Sequence, residues 1–186
     1  MISVSDVRNG MTVEYENNIY QVLEFQHVKS ARSAAFVRLK LRNILNGSIA
    51  DITLSPTDKL RPARIDKITM QYLYSTGDFY VFMNNDTYEQ IEIAASNLEN
   101  DAKFLYEGLQ VTMIMYNGEI IGIELPEKIT MRVVECEPAV KGDTATNATK
   151  QAVTETGLKV QVPLFIEQDD VIIISYPDGK YVSRAK

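Results

Sequence analysis

Between residues 25 and 50 the chain has no acidic residue and five basic ones, Lys29, Arg32, Arg38, Lys40 and Arg42. Read as a strand, residues 34–44 send successive side chains to opposite faces. Phe36, Arg38, Lys40 and Arg42 then share one face, and Ala35, Val37, Leu39 and Leu41 share the other. The second is the natural core face. The first is a basic stripe with steps of about 7 Å, close to the phosphate spacing of a nucleic-acid strand. Contact with RNA or DNA phosphates is one reading of that stripe, and a solvated strand face is the other. Just before it, Lys29-Ser30-Ala31-Arg32-Ser33 surrounds one long cation with small residues. This reads as a hairpin loop projecting Arg32 into a narrow space, with an ordinary surface arginine as the alternative.

Other reactive residue types form no comparable pattern. His27 is the single histidine, on a strand beside apolar residues, where packing or hydrogen bonding is the ordinary role. No Gly-x-Ser-x-Gly marks a nucleophile, and no Gly-x-x-x-x-Gly-Lys loop marks a phosphate cradle. Cys136, in the alternating run 129–137, reads as a small buried residue; with one His and one Cys a structural zinc site is excluded. Carboxylates abound in residues 64–127, but sequence does not bring two to catalytic separation. Nothing here demands an enzyme, a metal or a cofactor. Lys141-Gly142-Asp143-Thr144 opens the longest polar run, 141–151, whose glycine lets backbone approach a ligand closely. The tyrosines around Gly77-Asp78 read as core packing, because their surroundings are acidic.

The elements that must position these residues are strands. Asn17-Asn18, Asn46-Gly47, Asn84-Asn85 and Asn117-Gly118 recur between alternating runs, and Asn and Gly tolerate the positive φ of tight hairpin turns. Only residues 96–107 look helical, with Ser96 as a cap and Leu98, Ala102 and Leu105 along one side. The spacing predicts an all-β chain of barrels or sandwiches with one short helix. Residues 58–64, charged and holding Pro62, read as a linker, and Pro126-Glu127-Lys128 marks a second break. Three segments follow, 1–63, 64–127 and 128–186, each small for an independent core. Their formal charges are +2, -8 and 0 within a total of -6 over 186 residues. The acidic total argues against a nucleic-acid partner, whereas its division leaves the first segment suited to one. No uncharged run approaches the roughly 20 residues of a membrane helix. Asp6 and Arg8 interrupt any leader, and the lone cysteine fits a reducing cytoplasm, so a cytoplasmic monomer without membrane contact is expected.

Several of these stretches resemble the bacterial elongation factor P family, over nearly the whole chain. They include Gln26-His27-Val28-Lys29, Ala34-Ala35-Phe36-Val37-Arg38, Lys40-Leu41-Arg42-Asn43 and Met70-Gln71-Tyr72-Leu73-Tyr74. Lys141-Gly142-Asp143-Thr144-Ala145, Val162-Pro163-Leu164-Phe165-Ile166 and Tyr181-Val182-Ser183-Arg184 continue the series in order. The resemblance implies three small β-barrel domains in an L shape, an SH3-like or KOW first domain followed by two OB-like domains. It implies a translation elongation factor that binds the ribosome between the peptidyl and exit sites and promotes peptide bonds at consecutive prolines. Carried over by position, Arg32 is the tip reaching toward the CCA end of the peptidyl tRNA, and Lys29, Arg38, Lys40 and Arg42 face tRNA or rRNA. Gly142, Asp143 and Thr144 match the loop near the exit-site codon, and Tyr181 and Arg184 match the C-terminal motif. Much of the family has Pro-Gly-Lys-Gly at the tip, with a modified lysine; Ser30-Ala31-Arg32-Ser33 stands here instead. A branch with arginine there receives rhamnose from a dedicated transferase, so rhamnose on Arg32 and an unmodified arginine are both open. An elongation-factor-P-like paralogue, a general single-stranded-RNA-binding OB protein and a carboxylate hydrolase are the alternative readings.

Overall fold

The structure is a computed structural model that describes residues 1–29, 34–139 and 148–185. Almost every element is a strand. The first sheet contains β1 (Ile2–Ser3), β2 (Thr12–Tyr15), β3 (Asn18–Val28), β4 (Phe36–Asn43), β5 (Ile49–Leu54) and β6 (Lys59–Pro62), in the order β1-β6-β2-β3-β4-β5. The stretch expected to be a linker is therefore β6, which pairs with both β1 and β2. Leu60 decides this: the one large apolar side chain in a charged run is drawn into the core beside Val4, Val13 and Leu39. Extended backbone at Pro62 suits the end of a strand.

Between β2 and β3 the turn is Glu16-Asn17, both at positive φ, one residue earlier than the Asn-Asn signal. An extra residue at Leu23 interrupts the pairing of β3 with β4, the kind of bulge that bends and twists a long strand toward barrel closure.

The second sheet holds β7 (Ile65–Ser75), β8 (Phe79–Asn84), β9 (Gln90–Ala94), β10 (Gln110–Tyr116) and β11 (Glu119–Glu124), in the order β11-β10-β7-β8-β9. Asn117 and Gly118, at φ 52° and 82°, make the two-residue turn between β10 and β11 that the sequence predicts. Residues 96–107 do not form the expected helix. Two single 3-10 turns, Ala95–Asn97 and Ala102–Phe104, stand there, and Ser96 makes no side-chain cap. Asn97, Asn100 and Asp101 favour turns over helix interior, while Leu98, Phe104 and Leu105 are each buried.

The third sheet comprises β12 (Lys128–Cys136), β13 (Thr149–Thr154), β14 (Lys159–Pro163), β15 (Val171–Ser175) and β16 (Lys180–Arg184), ordered β14-β13-β12-β15-β16. The outer strands β14 and β16 approach each other, curling the sheet toward a barrel. Its core includes Ile129, Met131, Val162, Ile166, Ile172 and Ile174, each at most 1% exposed. By compactness the described chain divides into two units, one of residues 1–67 with 113–123 and one of residues 68–112 with 124–186. Among the described residues no helix is long and apolar enough to cross a membrane.

Candidate nucleic-acid interface

Strand β4 separates its two faces as its alternation requires. Val37, Leu39 and Leu41 are completely buried, while Arg38 and Arg42 are exposed and Lys40 and Phe36 are half-buried. Three fully buried aliphatic side chains fix the register, because a one-residue slip would carry all three into water. The cations are thus presented by the same packing that forms the core.

Neighbouring strands determine what each cation sees. Arg38 stands opposite Gln26 of β3 and Thr53 of β5, and Arg42 opposite Gln21 and Ile49. Lys40 stands opposite Glu24 on one side and Asp51 on the other. Directly opposed residues place their Cβ atoms about 5 Å apart on one face, so both carboxylates lie beside the Lys40 stem. Glu24 also accepts a 2.6 Å hydrogen bond from Gln26 Nε2. The acid-free window ends at these two acids, and the sheet folds them back onto its centre. Sequence reasoning missed them, since only the pairing register brings residues 24 and 51 next to residue 40. The stripe is therefore two arginine positions with no facing carboxylate and, between them, a lysine with one carboxylate on each neighbouring strand.

Two other cations of this segment, Arg8 and Arg61, are engaged in its own structure. Arg8 lies over the Phe25 ring, 5.7 Å from its centroid, and donates to the carbonyls of Ser5 and Val7. Arg61 pairs with Glu14 at 3.3 Å, and Glu14 Oε2 also accepts from the Tyr116 hydroxyl. Among the described residues, neither Arg38 nor Arg42 has an ion pair or side-chain hydrogen bond. Lys29 is exposed immediately after β3.

The remaining candidates fall as follows. Arg32, with Ser30, Ala31 and Ser33, lies outside the described residues, as do Gly142, Asp143 and Thr144. His27 is exposed opposite Val37 near the end of β3 rather than packed inside. Cys136 is half-buried, its Sγ 3.3 Å from the Ile166 carbonyl it donates to. Tyr181 is half-buried opposite Ile174. Arg184 donates to Asp170 Oδ1 at 2.6 Å, while Asp170 Oδ2 accepts from the Glu167 backbone, so the arginine ties the last strand to the turn before β15. Tyr72 packs on Phe82 and Tyr80 as expected, but Tyr74 is 51% exposed. The extra residue at Leu73 breaks the alternation that would have carried Tyr74 inward. Among the described residues no three His, Cys, Asp or Glu side chains gather as a metal-binding group.

Comparison with known proteins bears on each sheet in turn. Residues 3–60 match the elongation factor P KOW-like domain, residues 65–123 the elongation factor P OB domain, and residues 129–184 the elongation factor P C-terminal domain. Among solved structures, a translation initiation factor eIF-5A family protein from Naegleria fowleri shares the fold at TM-score 0.53 and 12% identity, over 67% of this chain and 96% of that one. Eukaryotic translation initiation factor 5A from Methanococcus jannaschii matches at TM-score 0.47 and 20% identity, over 66% of this chain and 94% of that one. With one such domain match on each of its three sheets, in chain order, the chain belongs to the elongation factor P family of translation factors.

Proposed function

We propose that this translation factor binds the ribosome between the peptidyl and exit sites and promotes peptide-bond formation at consecutive prolines by positioning the peptidyl tRNA. The observation that carries the reading is the exposed pair Arg38 and Arg42, held without carboxylate partners among the described residues on a strand whose opposite face is completely buried. Two guanidinium groups on one exposed face suit phosphates of a tRNA or rRNA backbone, and the planar fork of each donates to two oxygens at once. The 3–60 match to the family's KOW-like domain supports placing them beside the peptidyl tRNA.

The mechanism is one of positioning. Proline brings a secondary amine and a ring-fixed φ, which hold the reacting groups of a peptidyl-prolyl chain poorly. A misplacement of about 1 Å costs on the order of 100-fold in rate, so restoring alignment is sufficient help. Arg38 and Arg42 anchor the first domain on backbone phosphates, and Arg32 braces the CCA end through donors to phosphate and ribose oxygens. No acid, base or nucleophile is supplied by the factor. Arg32 carries rhamnose, added by a tip-modifying transferase, or acts unmodified. Gly142, Asp143 and Thr144 meet the codon region, and the acidic middle segment discourages RNA docking in other orientations. The chain works as a cytoplasmic monomer.

The test is translation of a proline-run reporter with and without the purified protein, joined to an intact-mass measurement of protein from its native cell. Relief of stalling is the expected result; an unchanged pause would reject the role, and an unmodified mass would remove the sugar.

A further inference from the structure

Within the unit formed by residues 68–112 and 124–186, one turn of the middle sheet is seated among turns of the third. Phe104, 5% exposed, meets the Tyr176 ring edge-on, with centroids 5.1 Å apart and planes at 90°. The Tyr176 hydroxyl donates to Asp101 Oδ1 at 2.6 Å. Thr156, between β13 and β14, donates its hydroxyl to the Lys103 carbonyl. Gly179, at φ 68°, lies beside the plug, where a Cβ would make only an ordinary contact 3.7 Å from the Phe104 ring. Burial, and then the bond to Asp101, push the Tyr176 hydroxyl far above its ordinary pKa of 10.0, as a committed donor requires. Residues 101–104 thus combine an aromatic plug with polar ties on both sides.

Consecutive domains ordinarily move relative to one another unless their contact is substantial and apolar. Here an edge-to-face aromatic pair and a hydrogen bond to a carboxylate, both among the stronger small contacts, act on one side chain. We propose that Asp101, Phe104 and Tyr176 are positioning residues, a latch that makes the 68–112 and 124–185 strands one rigid arm and fixes the reach at which the third sheet meets RNA. The rigidity stands on the contacts alone; the RNA part rests on the ribosomal role proposed above.

The experiment uses the full-length chain, with rotational correlation times from backbone 15N relaxation and a titration of proline-run rescue. In the unaltered protein residues 68–112 and 124–185 share one correlation time. Phe104→Ala separates the two, and Tyr176→Phe, which removes one oxygen and keeps the ring, shifts the docked population about tenfold toward the open form. Asp101→Asn keeps an acceptor oxygen and stays near the original behaviour. In rescue, Tyr176→Phe raises the half-maximal concentration and leaves the plateau intact, because no group touching the tRNA is lost. A single shared correlation time in both Phe104→Ala and Tyr176→Phe would overturn the latch. So would a lowered plateau with unaltered tumbling. If the unaltered protein rescues nothing, the ribosomal role fails while the relaxation measurement still decides the latch.

Discussion

Replacing Arg38 and Arg42 together by glutamine, and Lys40 alone in a second variant, separates the contributions of three residues that the sequence presents as equivalent. Cross-strand Cβ atoms are about 5 Å apart, and at that distance opposite charges in water attract by roughly 0.8 kcal/mol. Glu24 and Asp51 each face Lys40 across a strand pair, so each would supply an attraction of that order. A phosphate arriving at Lys40 gains about the same amount from the ammonium and loses about as much to each nearby carboxylate, so its net attraction is near zero or reversed. Gln26, Thr53, Gln21 and Ile49 impose no such offset on Arg38 and Arg42. Each phosphate neutralised on a single strand contributes about 0.7 to the slope of log affinity against log salt, so the double arginine variant lowers that slope by about 1.4. Lys40→Gln leaves it almost unchanged. The assay is fluorescence anisotropy of labelled protein with ribosomes carrying a peptidyl tRNA, between about 50 and 200 mM salt. A Lys40→Gln loss as large as half that of the double arginine variant would refute the reasoning, because it would mean the carboxylates do not offset the lysine.

Three further outcomes are expected. Arg32→Ala abolishes rescue on proline-run templates and leaves the thermal unfolding midpoint unchanged, which a reporter assay and calorimetry check together. Leu41→Ala, at a completely buried position opposite the basic face, costs about 2–5 kcal/mol and lowers the urea midpoint, measured by circular dichroism. Tyr176 has a folded pKa above its unfolded value of about 10, so the folded state holds that proton more tightly and stability falls as pH rises beyond 10. Tyr176→Phe makes the decline above pH 10 shallower in denaturant titrations, and an unaltered decline would contradict the assigned burial.

Much of this was legible in the chain because strands encode faces by simple alternation. Val37, Leu39 and Leu41 against Arg38 and Arg42 show core and surface of β4 without any neighbour, and Asn117-Gly118 announces its own turn. What depended on pairing was hidden. Glu24 meets Lys40 through a register set by the extra residue at Leu23, and Asp51 meets it through the 44–48 turn, both non-local choices. Residues 96–107 carried a helical spacing of Leu98, Ala102 and Leu105, yet Asn97, Asn100 and Asp101 each favour turns, and burial of Leu98, Phe104 and Leu105 outweighed the weak local preference. Leu60 was outnumbered by charges in its own window, and only the barrel it completes shows why it belongs to a strand. The latch around Phe104 joins residues more than 70 positions apart, a distance across which composition and periodicity carry no signal.

Flanking Lys40 with Glu24 and Asp51 also bears on how a complex ends. An uninterrupted cationic strand would gain from releasing bulk ions on any RNA it met and would dwell there regardless of sequence. On the RNA role proposed above, carboxylates at the centre would leave no bare lysine when a phosphate departs, and the grip would loosen at two separate arginines in smaller steps. Such a surface favours brief visits and rapid turnover. It carries its own counter-ions, covalently attached.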